Sequence, residues 1–136
     1  GKTTMCNLIA RFWDVNAGKI TIGGTDVRDF KLDSLMKNIS MVFQSVYLFA
    51  DTIENNIKFG CPDATHEQVV EAAKKACCHN FISALPDGYD TVISEGGGTL
   101  SGGEKQRISI ARAMLKDAPI IILDEASSLA ASRLLK

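Results

Sequence analysis

The chain has 136 residues and a formal net charge of −1; 46% of its residues are apolar and 23% are charged. These values are typical of one modest globular domain. They exclude a strongly basic surface, so nucleic acid is not expected as a partner. The longest apolar runs, such as 120–123, are far shorter than the roughly 20 residues of a membrane-spanning helix. The four cysteines lack metal-ligand spacing and are expected to be reduced core thiols.

The first third of the chain predicts alternating helices and strands. Residues 3–13 carry apolar side chains at spacings of three and four, which predicts a helix with one buried face. That face would consist of Met5, Leu8, Ile9, Phe12 and Trp13. A strand is expected over 20–22, closed by two glycines, and a second strand over 39–43 ends at Gln44.

The middle and last parts of the chain differ in their predicted secondary structure. Residues 45–98 predict a mainly helical insertion, with a capping-box pattern beginning at Thr65. A second capping box, at Ser101, opens a predicted helix that runs to about Lys116. Residues 120–123 follow and predict a parallel strand that is buried on both faces.

The first four residues, Gly1, Lys2, Thr3 and Thr4, read as the end of a phosphate-binding loop. Phosphate settles at helix N-termini because their N–H groups are unpaired and carry partial positive charge. Lys2 would place a full charge on the β- and γ-phosphates, the Thr3 hydroxyl would bind Mg²⁺, and the Thr4 N–H would meet a nearer phosphate. The alternative is an ordinary loop that turns into a helix.

Two carboxylates, Asp124 and Glu125, come directly after the apolar strand. Ligand crevices in α/β sheets lie at the carboxyl ends of strands. Asp124 would hold the Mg²⁺ shell, and Glu125 could orient or deprotonate an attacking water. The alternative is a strand-end turn with helix-capping acids.

A second anion-binding surface is predicted at the start of the last helix. Its residues are Leu100, Ser101, Gly102, Gly103 and Glu104. Glycines at a helix N-terminus allow close approach of an anion to the backbone. One ATP needs one phosphate cradle, so the second suggests contact with ATP held by another copy. The alternative is an ordinary capped helix.

These motifs together resemble those of ATP-binding cassette (ABC) proteins. Residues 100–107 are similar to the signature motif and 120–126 to Walker B. Residues 1–4 stand where Walker A ends, and Gln44 matches the Q-loop glutamine. The resemblance extends to about Ser128 and follows the family's order of motifs.

The resemblance implies an α/β fold: a P-loop NTPase (RecA-like) core with an inserted α-helical subdomain, truncated at both ends. The core would comprise residues 1–44 and 99–136, and the helical subdomain with the Q-loop region would comprise 45–98. The family's H-loop histidine and adenine-stacking aromatic would lie outside the chain. His66 and His79 are therefore interpreted as ordinary surface residues.

The resemblance also implies an ATPase that uses ATP and Mg²⁺. Two such domains, identical or different, would pair head to tail, with Ser101 and Gly103 touching the partner's γ-phosphate. Gln44 would reach Mg²⁺ and the water, and Glu125 would be the catalytic base. Ala130 stands where the family has an aspartate, and residues 131–136 match no known pattern. These departures and the cut ends predict that the fragment alone is inactive.

A narrower resemblance is to ABC exporters. Residues 46–49, 52–53, 55–57 and 85–91 are similar to exporter segments, as are Glu95 and Gly97, although Ser94 stands where glycine is more usual. Such exporters fuse a transmembrane domain upstream, which would place this domain at the cytoplasmic face of a membrane. The alternatives are an importer ATPase subunit, a soluble non-transport ABC ATPase, and a non-catalytic cassette.

Overall fold

The computed structural model describes residues 1–43, 46–124 and 132 of the chain. The helices are α1 (Lys2–Ile9), α2 (Leu32–Lys37), α3 (Ile53–Ile57), α4 (His66–Lys75), α5 (His79–Ser83) and α6 (Gly102–Lys116). The strands are β1 (Thr21–Ile22), β2 (Thr25–Asp26), β3 (Ile39–Phe43), β4 (Asp51–Thr52), β5 (Val92–Ile93) and β6 (Ile120–Asp124). Within these described ranges no helix combines the length and the apolar character that a bilayer crossing requires.

The strands β3 and β6 form a parallel pair. Their register runs from Ile39 opposite Ile120 to Phe43 opposite Asp124. Since parallel strands end at the same sheet edge, the carboxyl ends of β3 and β6 are neighbours. The other pairs, β1 with β2 and β4 with β5, are short and antiparallel.

The two capping boxes predicted from the sequence are both present. The Ser101 hydroxyl accepts a hydrogen bond from the Glu104 N–H at 3.2 Å, and the Glu104 carboxylate accepts one from the Ser101 N–H at 2.9 Å. Thr65 and Gln68 make the equivalent pair at the start of α4. Each box satisfies two N–H groups that a helix start leaves unpaired. At the other end, α6 stops at Asp117 in a left-handed conformation.

The buried apolar residues form two clusters. The larger cluster joins α3, α4 and α6, and among its fully buried members are Leu48, Ile53, Ile57, Val69, Ile82 and Ile108. The smaller cluster surrounds the start of β3 and consists of Val27, Leu35, Ile39 and Ile122. The α6 helix therefore packs its apolar face on helices of the 45–98 segment, while α1 contributes Cys6 and Ile9 to the smaller cluster.

The predicted buried face of the first helix is partly wrong. Met5, Phe12 and Trp13 are 64%, 51% and 72% exposed. The helix ends at Ile9, and Arg11 adopts a left-handed φ of 57°. This turn takes Phe12 and Trp13 off the helical spacing from which their burial was predicted. Leu8 and Ile9 are half-buried, as expected for the face that packs.

The strand β6 is less covered than its all-apolar sequence predicted. Ile121 is 37% exposed and lines an open groove between α4 and the end of α6. Among the described residues β6 has one neighbouring strand, β3. The apolar sequence of residues 120–123 therefore predicted the strand correctly, but the predicted burial of both its faces is wrong.

The histidines and cysteines also refine the sequence expectations. The Nδ1 atom of His79 lies 2.6 Å from the Tyr89 hydroxyl, so this half-buried histidine has a structural partner. His66 is exposed and contacts Glu54. Cys78 is buried but Cys77 is exposed, so the interpretation of all four as core thiols was wrong for Cys77. All four cysteines are free.

Candidate nucleotide-binding site and signature helix

The predicted phosphate-binding residues lie at the start of α1. Gly1 is the N-cap residue and its carbonyl accepts from the Met5 N–H at 3.2 Å. Lys2 and Thr4 are exposed in the first turn, and the turn contains no acidic residue. The backbone N–H groups of a first helical turn lack partners within the helix. The first turn of α1 therefore offers N–H groups that an anion can accept from. The side chain of Thr3 falls outside the described part of the structure.

The second part of the candidate site is the shared carboxyl edge of β3 and β6. Asp124 stands opposite Phe43 in the parallel register and is 8% exposed. Helix α1 packs beside β6. Gln44 and Glu125 follow these two strand ends directly in the chain, and both lie outside the described residues. Their predicted roles as catalytic residues therefore remain predictions.

The signature residues present an exposed surface at the start of α6. The two glycines after the N-cap Ser101 are exposed, and a Cβ on Gly102 would meet nothing within 4 Å. Ser101 uses its oxygen as an acceptor in the capping box, which leaves its own O–H free to donate outwards. Leu100 is half-buried against the larger cluster, and Glu104 serves the cap.

The two predicted phosphate-binding surfaces belong to different packing clusters. Residues Cys6 and Ile9 of α1 pack on the smaller cluster, whereas Leu100 packs on the larger one. The hydrogen bonds and ion pairs of the described residues do not join residues 1–4 to residues 100–104. The described contacts therefore do not bring the two predicted surfaces together.

Sequence reasoning missed Arg112, which lies on the buried side of α6. Its guanidinium donates to the Asn56 carbonyl at 2.8 Å and to the Tyr47 carbonyl at 3.2 Å. It also lies over the rings of Phe49 and Phe59, 5.7 and 5.5 Å from their centroids. Burial lowers the pKa of Arg112. The sequence signal for Arg112 was weak, because Lys105, Ser109 and Lys116 lie seven, three and four residues from it and share its face of the helix.

Asn56 was missed as well. It is fully buried, and its side chain accepts from the Phe49 N–H at 2.9 Å and donates to the Phe49 carbonyl at 3.2 Å. A third hydrogen bond goes to the Thr52 carbonyl at 3.0 Å. Asn56 therefore provides hydrogen-bond partners for the N–H and carbonyl groups of Phe49. Phe49 lies in the segment that follows the predicted Q-loop glutamine and belongs to no helix or strand.

Two further polar contacts connect distant parts of the chain. The Tyr47 hydroxyl donates to the Glu95 carboxylate at 3.1 Å, and this hydrogen bond to a carboxylate raises the pKa of Tyr47. The Lys116 ammonium donates to the Met36 carbonyl at 2.7 Å and to the Ile39 carbonyl. Burial lowers the pKa of Lys116. Lys116 thus links the end of α6 to the start of β3, between the two clusters.

Comparison with known families is consistent with this geometry. Residues 1–128 match the family described as ABC transporter, so the chain belongs to the ABC transporter family. Membership of this family implies a P-loop NTPase fold and nucleotide binding.

Two similar proteins carry names that refer to transport. Over 128 residues the chain is 58% identical to an ATP-dependent lipid A-core flippase of Syntrophus aciditrophicus, covering 94% of this chain and 21% of the relative. It is 53% identical to a Bacillus subtilis protein whose name places it among multidrug export ATP-binding/permease proteins, with 94% and 22% covered. The chain therefore spans about a fifth of the length of these relatives.

A solved structure gives the same likeness in three dimensions. The chain superposes on a bacterial Atm1-family ABC exporter, whose structure has ATP bound, with a TM-score of 0.90 and 40% identity. The match covers 99% of this chain and 24% of the exporter chain.

Proposed function

We propose that the chain is the ATP-binding and ATP-hydrolysing motor domain of an ABC exporter, which couples hydrolysis to transport across a membrane. The observation that carries the proposal is the parallel register that sets Asp124 beside the end of β3. Asp124 is 8% exposed and lies at the carboxyl edge of the parallel pair, where α/β sheets bind their ligands. The names of the relatives favour an exporter over an importer subunit or a non-transport ATPase.

The residues available at this edge fit Mg²⁺, which prefers hard oxygen ligands and near-octahedral geometry. Asp124 offers a carboxylate, and Thr3 and Gln44 would add a hydroxyl and an amide oxygen. When bound, the ion would neutralise charge on the β- and γ-phosphates. Lys2 would hold the same phosphates, together with the backbone of residues 1–4. Glu125 would accept a proton from the attacking water, or orient it.

The proposed domain organisation keeps the core at residues 1–44 and 99–136 and the helical subdomain at 45–98. The helices α3, α4 and α5 all fall within 45–98, which supports a helical insertion. The apolar face of α6 packs on that insertion. Helix α6 would therefore connect the helical subdomain to the core, into which its Lys116 reaches.

The proposed partners are a second nucleotide-binding domain and a transmembrane domain. Ser101 and Gly103 would touch ATP held by the second domain, which could be an identical or a different chain. The transmembrane domain would be fused to the same polypeptide, as the name of the Bacillus subtilis relative indicates for that protein. This domain would then lie at the cytoplasmic face of the membrane.

The test is ATP hydrolysis by the intact protein in lipid, with and without Glu125→Gln. The variant is expected to bind ATP as the wild type does and to lose about 10²- to 10⁴-fold in kcat, since a positioned general base contributes that much. Glu71→Gln on the exposed face of α4 is the matched control for loss of one carboxylate and should hydrolyse ATP normally. Turnover that survives Glu125→Gln would contradict the proposal.

A further inference from the structure

A lysine side chain joins the C-terminal end of α6 to the proposed core. The Lys116 ammonium donates to the Met36 carbonyl at 2.7 Å and to the Ile39 carbonyl. Met36 lies in the last turn of α2, and Ile39 is the first residue of β3. The preceding carbonyl, that of Asn38, accepts instead from the Ile120 N–H at 3.1 Å, next to the first pair of β3 and β6. Lys116 therefore bonds the backbone at the point where the parallel pair begins.

The aliphatic part of the same side chain lies against the helical segment 45–98. A Cβ added to Gly60 would stand 3.1 Å from Lys116 Cδ and 3.4 Å from Lys116 Cβ. Gly60 ends the turn 58–60 that follows α3. Lys116 is therefore packed between the helical segment, which contacts its methylene groups, and the core, which accepts its hydrogen bonds.

Further along the strands, the contact with α6 is apolar. Val42 of β3 and Leu123 of β6 pack in the larger cluster, to which α6 contributes Ile108 and Ile110. Apolar contacts have no preferred direction, whereas a hydrogen bond weakens when its angle changes. The two bonds of Lys116 therefore restrict the orientation of α6 more than the apolar contacts do.

Ser101 and Lys116 lie at opposite ends of α6. The helix has 15 residues and is therefore roughly 22 Å long. A tilt of about 10° around Lys116 would move Ser101 by about 4 Å over that length. Such a displacement exceeds the range over which a hydroxyl keeps a hydrogen bond.

We infer that Lys116 is a positioning residue that fixes the signature helix relative to the β3–β6 pair. The inference rests on the proposed function, in which one chain offers Asp124 to one ATP and Ser101 to another. Both ATP sites can form together only if these two residues keep a set separation within the chain. Lys116 itself touches no nucleotide in this arrangement, so its loss should lower turnover. ADP binding should be unaffected, because ADP lacks the γ-phosphate that Ser101 would touch.

The experiment compares Lys116→Met with Lys116→Arg in the intact protein in lipid. Methionine keeps an unbranched apolar chain but has no donor, whereas arginine can donate to both carbonyls. Lys116→Met is expected to lower kcat about threefold to tenfold, as misplaced groups do, with the Kd for ADP unchanged. Lys116→Arg should recover most of that loss. Lys74→Met, which removes an exposed cation of α4, is the control and should match the wild type.

A double-mutant comparison separates positioning from a general loss of structure. In a Ser101→Ala background, Lys116→Met should lower kcat much less than in the wild type, because its effect passes through the placement of Ser101. In a Thr65→Ala background, which removes the N-cap hydroxyl of α4 instead, Lys116→Met should keep its full effect. The melting temperature should fall by no more than about 5 °C, since Lys116 is only half-buried.

Three results would overturn the inference: an unchanged kcat in Lys116→Met, equal effects of Lys116→Met in the two backgrounds, or a loss of ADP binding that parallels the loss of kcat. These results are distinguishable from failure of the proposed function. If Glu125→Gln keeps full turnover, the motor assignment itself fails. If Glu125→Gln abolishes turnover while Lys116→Met hydrolyses ATP as the wild type does, only the positioning inference fails.

Discussion

At the scale of single residues, Arg112 gives α6 its attachment to the segment that follows Gln44. Its guanidinium donates to the carbonyls of Tyr47 and Asn56 and stacks on two phenylalanine rings. A planar group with several donors can serve all these partners at once, whereas an ammonium cannot. Arg112 is therefore expected to be replaceable by neither lysine nor alanine.

Replacing Arg112 by alanine should destabilise the protein by about 2–3 kcal/mol, because its charge-assisted hydrogen bonds are lost and the partly buried Asn56 carbonyl loses its donor. For a domain of this size the melting temperature would fall by roughly 5–10 °C. Lysine should recover less than half of the loss. Lys74→Ala, which removes an exposed cation of α4, is the control. Equal melting temperatures for Arg112→Ala and Lys74→Ala would contradict this account.

At the scale of elements, the two capping boxes begin helices whose N-terminal ends have different surroundings. Thr65 opens α4, which packs in the larger cluster, and Ser101 opens α6 at the exposed signature surface. Both helix starts were predicted from local sequence, because a capping box is a contact between residues three apart. The exposure of Phe12 and Trp13 was not predictable in this way, since it follows from the left-handed turn at Arg11.

Thr65→Ala and Ser101→Ala form a matched pair that separates capping from function. Each should lower stability by about 1 kcal/mol, the usual loss for an N-cap hydroxyl. Thr65→Ala should leave ATP turnover unchanged, whereas Ser101→Ala should reduce it, because the Ser101 O–H is proposed to donate to phosphate. Paired melting and ATPase assays check this. Equal turnover in the two variants would indicate that Ser101 is only a cap.

At the scale of the whole molecule, the order of motifs predicted the family, which the comparison confirmed. The long-range polar contacts were not predictable. Arg112 reaches Tyr47 across 65 residues, and Lys116 reaches Ile39 across 77. Local periodicity carries no information on such pairs. The same limit applies to β6, whose apolar sequence predicted a strand but not the groove beside Ile121.

The central claim is that the phosphate-binding surface at Lys2 and the signature surface at Ser101 serve different ATP molecules. Their attachment to separate clusters supports it. The measurement is the number of ATP molecules that each dimer of the intact protein retains. Both subunits of the dimer carry Glu125→Gln, and each subunit has a different tag. Lys2→Ala and Ser101→Arg are placed either on the same subunit or on opposite ones.

In this account each ATP site combines Lys2 of one subunit with Ser101 of the other. When the two changes are on opposite subunits, both damage the same site, so about one ATP per dimer should be retained. With both on the same subunit, each site is damaged once and retention should be lost. The reverse result, with retention only when one subunit carries both changes, would show that Lys2 and Ser101 of one chain serve the same ATP and would contradict the account.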